Sequence, residues 1–364
     1  MIYTSEQVGY GHPDKAADQV SDAILDAYLS VDRNARVAVE TFIKDGHVVL
    51  GGEVKSNSSV DVEGIAREKL NDIYPYNNGF VDDKTAKYGD ACTIDNFIGV
   101  QSSDIALGTD DGGAGDQGIV TGYAERGTGT LLPRSYDLAT HLLMELCSIE
   151  LDGIELGSDM KSQVTLNESG DILISNVSAH HSEADPKKVS ELLSDAQRDI
   201  LSPFGSLQDY VNYANHTGQF LLGGPWADCG LTGRKLVADT YGPHVPHGGG
   251  AFSGKDPSKV DRSGAYMARN VAKQIVTKWD VENALVSVAY VIGRREPVSV
   301  EVKLTGSIAS SETKVAEVTE FARSFDWSPM GIDEYLGLRD FTRYSDTAYF
   351  GHFTNQSFPW EKVD

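Results

Sequence analysis

The densest run of chemically competent side chains is His247-Gly-Gly-Gly-Ala-Phe-Ser-Gly-Lys-Asp-Pro-Ser-Lys-Val-Asp-Arg262. Gly248, Gly249 and Gly250 have no Cβ, so the main chain can take positive φ and turn its N–H groups onto a bulky anion. Lys255 and Lys259 bring positive charge, and Asp256 and Asp261 can accept a metal or a sugar hydroxyl. A helical apolar period begins at Val260 and continues through Ala265, Ala268, Val271, Ala272 and Ile275. The glycines therefore precede a helix start, where the dipole favours phosphate. The run is not a P-loop, because Asp256 follows Lys255 where that motif needs a hydroxyl. A solvated glycine-rich loop is the competing reading of these residues taken alone.

Three further clusters have the right chemistry. In Gly11-His-Pro-Asp-Lys15, Asp14 suits a hard cation and His12 can donate to a phosphate or a leaving oxygen. The plainer alternative makes Pro13 the first helical residue and Asp14 a dipole partner. Gly112-Gly-Ala-Gly-Asp-Gln-Gly118 offers one carboxylate, Asp116, and follows a stretch from Ser102 with little apolar content, expected to be a mobile cover. Asp228-Cys-Gly-Leu-Thr-Gly-Arg-Lys235 ends in adjacent cations before the strand-like Leu236-Val-Ala. On a strand Arg234 and Lys235 point to opposite faces, so both meet one phosphate chain only if the strand ends at the site. No Ser-His-Asp order, Cys-His pairing or H-E-x-x-H occurs, and covalent catalysis is not suggested.

These clusters must be positioned by a chain of 364 residues and 40% hydrophobic content, enough for two or three cores. Fifty-four acids against 31 bases leave a charge of −23, which repels nucleic acid and anionic membranes and makes a local basic pocket necessary for any polyanion. Cys92, Cys147 and Cys229 are isolated, so neither a disulfide framework nor a zinc site is expected. With no leader-like N-terminus and no long apolar run, a cytoplasmic location is expected.

The pattern along the chain repeats. A helix from Pro13 to Tyr28, a strand Arg36–Ile43, a turn at Asp45-Gly46, a strand Val48–Val54 and a helix Val60–Ile73 form the first unit. A helix Tyr136–Ile149, strands near Gln163–Leu166 and Ile172–Ala179, and a helix opened by Asp185-Pro186 repeat it. The helix from Val260, strands Leu285–Ile292 and Ser299–Leu304, and a helix from an N-cap at Ser311 complete a third. Turns spaced by about 125 residues suit three similar domains rather than a solenoid. The expected class is α/β of the α+β type, with βαββα-type units related by a pseudo-threefold axis.

Together Gly11–Lys15, Gly113–Gly118, Asp228–Lys235 and Gly248–Arg262 resemble the defining motifs of the S-adenosylmethionine synthetase (methionine adenosyltransferase) family, in the right order. Lys161-Ser-Gln-Val164, Gly223-Gly-Pro225, Gly351-His-Phe353 and Phe358-Pro-Trp-Glu361 are similar too. The resemblance implies an N-terminal domain over 1–100, a mobile loop over 101–112, a central domain over 113–222 and a C-terminal domain over 223–364. It implies a homodimer with sites at the subunit interface, often paired into a tetramer. The implied reaction is attack of methionine sulfur on the ribose 5′ carbon of ATP, followed by cleavage of the released tripolyphosphate. It also implies catalytic roles for His12, Lys161, Arg234 and Lys255. Asp116, Asp159, Gln219, Phe220, Asp228, Lys235 and Ala251 would join them around ATP. Glu53, Gln101, Asp228 and Lys259 would hold methionine; Glu6, Asp14 and Asp261 would hold Mg²⁺, two ions per site, and Glu40 would hold K⁺. Tyr10 stands where the family has an acid and Gln219 where it has an arginine; the stretch 101–113 is short, 81–90 is expanded, and the C-terminal extension is missing. These departures leave a non-catalytic ATP-binding subunit as the rival reading. An ATP-dependent phosphotransferase is poorer, for want of a positioned base.

Overall fold

The computed structural model describes residues 2–75, 87–101, 112–181 and 185–363. Most of the expected mobile loop and of the expanded 81–90 segment lies outside these residues. The first unit contains β1 (Ile2–Val8), α1 (Pro13–Val31), β2 (Arg36–Lys44), β3 (His47–Lys55), α2 (Val62–Ile73) and β4 (Thr93–Val100). The second contains β5 (Gly118–Glu125), α3 (Arg134–Leu146), β6 (Leu156–Asn167), β7 (Ile172–His181), α4 (Pro186–Leu201) and β8 (Val211–Ala214). The third contains β9 (Gly230–Leu231), α5 (Val260–Lys278), β10 (Asn283–Tyr290), β11 (Ser299–Thr305) and α6 (Glu312–Arg323).

Each unit gives its first strand away. β1 pairs antiparallel with β6 of the second unit, β5 with β10 of the third, and β9 with β2 of the first. The exchange closes after three steps, giving sheets ordered β1-β6-β7-β8, β5-β10-β11 and β9-β2-β3-β4. The helices obey the same rule: α1 lies on β9 and β2, α3 on β1 and β6, and α5 on β5 and β10. The N-termini of α1, α3 and α5 are thus equivalent places in the internal threefold arrangement.

Local chemistry explains the elements. Asp45 and Gly46 take φ of 46° and 72° and close the β2–β3 hairpin as a two-residue turn. Asp185 caps α4 by accepting from Lys187 N–H. Ser311 does sit at the N-cap of α6, but its side chain makes no capping bond. Leu236–Ala238 is not a strand: Asp239 N–H donates to Lys235 O at 2.9 Å and turns the chain helically. One apolar core joins the first and third units and takes in β5 and Tyr136 of the second, and a separate one fills the rest of the second. Among the described residues no helix is long and apolar enough to cross a membrane.

Candidate active site

His12 occupies the N-cap of α1, with Pro13 as the first helical residue. Its Nδ1 accepts from Asp14 N–H at 3.1 Å. A ring nitrogen that accepts cannot also hold the proton, so neutral His12 carries its proton on Nε2 and can donate there. Burial, reinforced by Lys235 and opposed by Asp14, pushes its pKa down to about 3. His12 is therefore an uncharged donor at physiological pH.

Asp14 is 1% exposed and organises the cations around it. Its Oδ1 accepts from Leu231 N–H at 2.9 Å and lies 3.5 Å from Arg234 Nε, while its Oδ2 takes Lys235 Nζ at 2.5 Å. Both adjacent cations converge on one carboxylate because the helical turn after Lys235 replaces the expected strand. Asp228 joins this group: its carboxyl is held below the usual range by Cys229 N–H first, then by His12, Arg234 and Lys161. Lys161 projects from β6 opposite Val8. Asp159, two residues earlier, accepts from Gly224 N–H at 2.7 Å and is pushed up by burial. It borders a cavity of about 450 Å³ shared with Tyr10, Tyr74, His180 and Trp226. Phe220 packs edge-on to His180 at 5.6 Å, Gln219 is exposed, and Tyr10 stacks on Tyr349 at 4.3 Å. Glu6 is exposed opposite Gln163 and borders a neighbouring cavity of about 230 Å³ with Val237 and Ala238.

A second group gathers at the start of α5. Lys255 Nζ meets Asp261 Oδ2 at 2.5 Å. Backbone crowds this pair: a Cβ on Gly250 would lie 2.3 Å from Asp261 Oδ1, and one on Gly118 3.5 Å from it. Ala251 packs against Gly233, linking the glycine run to the Arg234 loop. Asp116 is exposed and accepts from Gln117 N–H at 2.7 Å. Lys259 reaches Asp256 at 2.7 Å, and Asp256 also takes Arg339 at 3.1 Å. The stretch 254–256 lies along the edge of β2, with Lys255 bridging Ala38. On the other side of Ala38 stands Glu53, whose Oε1 accepts from Gln101 Nε2 at 3.3 Å. Gln101 Oε1 is buried without a partner among the described residues. Glu40 lies two residues along β2 and is exposed.

Among the described residues no hydrogen bond or ion pair joins the His12 group to the Lys255–Asp261 pair, and no three acidic, His or Cys side chains close on a common metal position. Sequence reasoning missed Asp18 and Asp22, which accept from Gly233 N–H and Gly254 N–H, both at 2.8 Å. The four-residue spacing of Asp14, Asp18 and Asp22 puts them on one helix face, but like charges at that spacing read as a solvated face.

Comparison with known proteins decides what this arrangement belongs to. The N-terminal, central and C-terminal domain profiles of S-adenosylmethionine synthetase match residues 1–103, 111–220 and 222–362. The chain belongs to the S-adenosylmethionine synthetase family. An S-adenosylmethionine synthase from Salinibacter ruber is 43% identical over 376 aligned positions, covering 100% of this chain and 95% of that protein. The solved structure of an unusual S-adenosylmethionine synthetase from Campylobacter jejuni superimposes with a TM-score of 0.86 at 31% identity, covering 100% of this chain and 97% of that one. The three matched domains of the S-adenosylmethionine synthetase family follow the order of the three strand-exchanging units.

Proposed function

We infer that the chain forms S-adenosylmethionine from ATP and L-methionine by sulfur attack on the ribose 5′ carbon, and then cleaves the displaced tripolyphosphate to pyrophosphate and phosphate. A thioether is already nucleophilic, so the protein must align the attack and stabilise the departing charge. The observation that carries this reading is a pair of lysine–aspartate contacts, Asp14–Lys235 and Asp261–Lys255, at two equivalent helix starts. A triphosphate with its metal brings charges of both signs. Each carboxylate can pass from lysine to metal while each lysine turns to phosphate, leaving no buried charge unmatched.

The family needs a divalent metal, and the oxygen-rich donor set fits a hard cation. We assign Asp14, Asp261 and Glu6 to Mg²⁺, two ions per site, and Glu40 to K⁺. A bound Mg²⁺ would neutralise charge on the phosphates. His12 donates from Nε2 toward the bridging oxygen, and Lys161, Arg234, Lys235 and Lys255 hold the phosphates. Asp116, Asp159, Gln219, Phe220, Asp228 and Ala251 line the nucleotide. Methionine is held by Glu53, Gln101, Asp228 and Lys259; Gln101 Oε1, without a partner among the described residues, suits its ammonium group.

The active form is a homodimer in which a site takes the His12 group from one protomer and the Lys255 group from its partner. Support comes from the lack, among the described residues, of any hydrogen bond or ion pair between these groups, and from the outer face of the β9-β2-β3-β4 sheet, where Phe97 is 70% exposed and Phe42 38%. The segments 1–100, 113–222 and 223–364 serve as its domains. A cytoplasmic setting suits its free cysteines.

The test is to incubate purified chain with ATP, methionine, Mg²⁺ and K⁺ and seek the sulfonium adduct by mass spectrometry. The expected products are S-adenosylmethionine, pyrophosphate and phosphate. Formation of ADP without adduct would overturn the reading, and absence of any turnover would favour a non-catalytic ATP-binding subunit.

A further inference from the structure

We propose that Asp18 is a positioning residue for the phosphate-binding pair Arg234 and Lys235, acting through the backbone N–H of Gly233. The proposal rests on the assignment of that pair to ATP.

Asp14, Asp18, Asp22 and Asp26 recur every four residues along α1 and share one face of the helix. Like charges at this spacing repel, so the stripe must find partners elsewhere. The N–H groups and the arginine that these four accept from all lie within residues 222–362, the span of the C-terminal domain profile. Asp14 takes Leu231 N–H, Asp18 takes Gly233 N–H, and Asp22 takes Gly254 N–H. Asp22 also holds both Nη atoms of Arg262 at 2.7 and 2.6 Å, and Asp26 takes Tyr344 and Ser345 N–H at 2.7 and 2.9 Å.

The four acids differ in what they are free to do. Asp22 is committed to a fully buried arginine. Asp14 faces the candidate site and divides its oxygens between a backbone N–H and two cations. Asp18 is 3% exposed and, among the described residues, makes no ion pair with Arg234 or Lys235. Lys15, whose charge acts on Asp18, is paired with Asp239. Asp18 is therefore an anchor for backbone and leaves both loop cations available to a polyanion.

The position of that anchor matters. Strand pairing between β9 and β2 ends at Leu231, and Thr232 N–H makes one more bond to Thr41 O at 3.1 Å. Gly233 then takes a φ of +79°, open to glycine, and its N–H on Asp18 is the last tie before Arg234. When Asp14 exchanges partners, Asp18 keeps the turn in register.

The test compares Asp18→Ala with Asp18→Asn, whose amide oxygen can still accept from Gly233. Folding is followed by thermal melting, and KM is measured for each substrate. For Asp18→Ala the KM for ATP is expected to rise roughly tenfold or more, while the KM for methionine stays within about twofold. Asp18→Asn is expected to restore the KM for ATP to within about threefold of the parent. If Asp18→Ala does not fold, Asp18→Leu keeps the bulk without the acceptor and takes its place. The proposal falls if the acceptor-free variant binds ATP normally, if Asn and the acceptor-free variant are equally impaired, or if Asp18→Asn or both acceptor-free variants fail to fold. Arg234→Ala separates the two layers. A raised KM for ATP there with a normal Asp18→Ala sinks only the positioning role, whereas a kinetically silent Arg234→Ala sinks the ATP assignment itself.

Discussion

The starts of α1 and α5 are equivalent in the ring of exchanged strands, and they carry similar chemistry finished in different ways. Each has a lysine–aspartate contact at 2.5 Å. Each has a histidine whose Nδ1 accepts a main-chain N–H two residues on: His12 from Asp14, and His247 from Gly249 at 2.9 Å. At α1 the carboxylate is 1% exposed and held by three protein groups. At α5, Asp261 keeps 13% of its side-chain surface open, whereas the two lysines, Lys235 and Lys255, are alike at 22% and 23%. The third equivalent start, at α3, has no such contact among the described residues; Arg134 donates to Phe204 O at 2.6 Å and its N–H goes to Glu125 at 3.1 Å. The fold therefore offers three similar helix starts, and loop sequence gives two of them a lysine–aspartate contact, the two to which the proposed function assigns the chemistry. On the proposed assignment the α1 start, with His12, Arg234 and Lys235, serves the leaving oxygen and the phosphates beside it, and the α5 start, with its more open carboxylate, serves the rest of a flexible polyphosphate.

The largest expected effect falls on the open start. On the proposed assignment Lys255→Ala takes a cation away from the departing triphosphate and should lower kcat/KM by about a hundredfold or more, on the order of 3 kcal/mol. Arg134→Ala, at the third start, should leave kcat/KM within about twofold. Equal losses in the two variants would break the distinction between chemical and structural starts.

The next effect asks whether the two chemical starts work across protomers. His12→Ala and Lys255→Ala chains are each expected to be nearly inactive. If they are unfolded and refolded together, half of the dimers are mixed, and each mixed dimer regains one intact site. Activity should then rise to about a quarter of the parent value. Activity that stays at the average of the two variants would place both groups in a site within one chain.

Why α1, α5 and the β2–β3 hairpin were legible, and other parts were not, follows from which residues face inward. Asp45-Gly46 and the apolar periods of the two helices are local signals. β1 was missed because its inward positions are Ser5 and Gln7, satisfied by Ser135, Tyr136 and Thr140 rather than by apolar contact. β4 was missed because most of its side chains are exposed on both faces, and β9 because it has two residues. The site residues were readable as motifs at two helix starts, but no local pattern says that those starts are equivalent places in the fold. That depends on strand exchange between distant segments. The anchoring acids were hidden for a related reason: four-residue spacing of like charges argues for solvent until Arg262 and the C-terminal N–H groups are in place.

A smaller effect separates the two histidines. Burial lowers both, but Asp261 pulls His247 the other way, whereas Lys235 adds to the lowering at His12. From 6.5 down to about 3 the unfolded chain takes a proton on His12 that the folded chain refuses. Stability is then lost as pH falls through that window, by at most about 1.4 kcal/mol per pH unit. His12→Asn removes this term, so melting temperatures of parent and variant should draw closer, or cross in favour of the variant, between pH 7 and pH 5. A difference that does not change with pH would mean that His12 titrates normally.

The smallest effect tests how much room the open start has. Gly249 has a φ of +95°, yet a Cβ there would meet nothing within 4 Å. Gly249→Ala should cost about 1 kcal/mol of backbone strain and leave the Lys255–Asp261 contact in place. Gly250 is the opposite case: its added Cβ would lie 2.3 Å from Asp261 Oδ1, and it must displace that side chain. The KM for ATP should therefore change little in Gly249→Ala and rise clearly in Gly250→Ala, although the first substitution carries the greater backbone strain. If instead the two follow backbone strain, with Gly249→Ala the worse, then the glycines serve the path of the main chain, and the openness of this helix start plays no part in holding the phosphates.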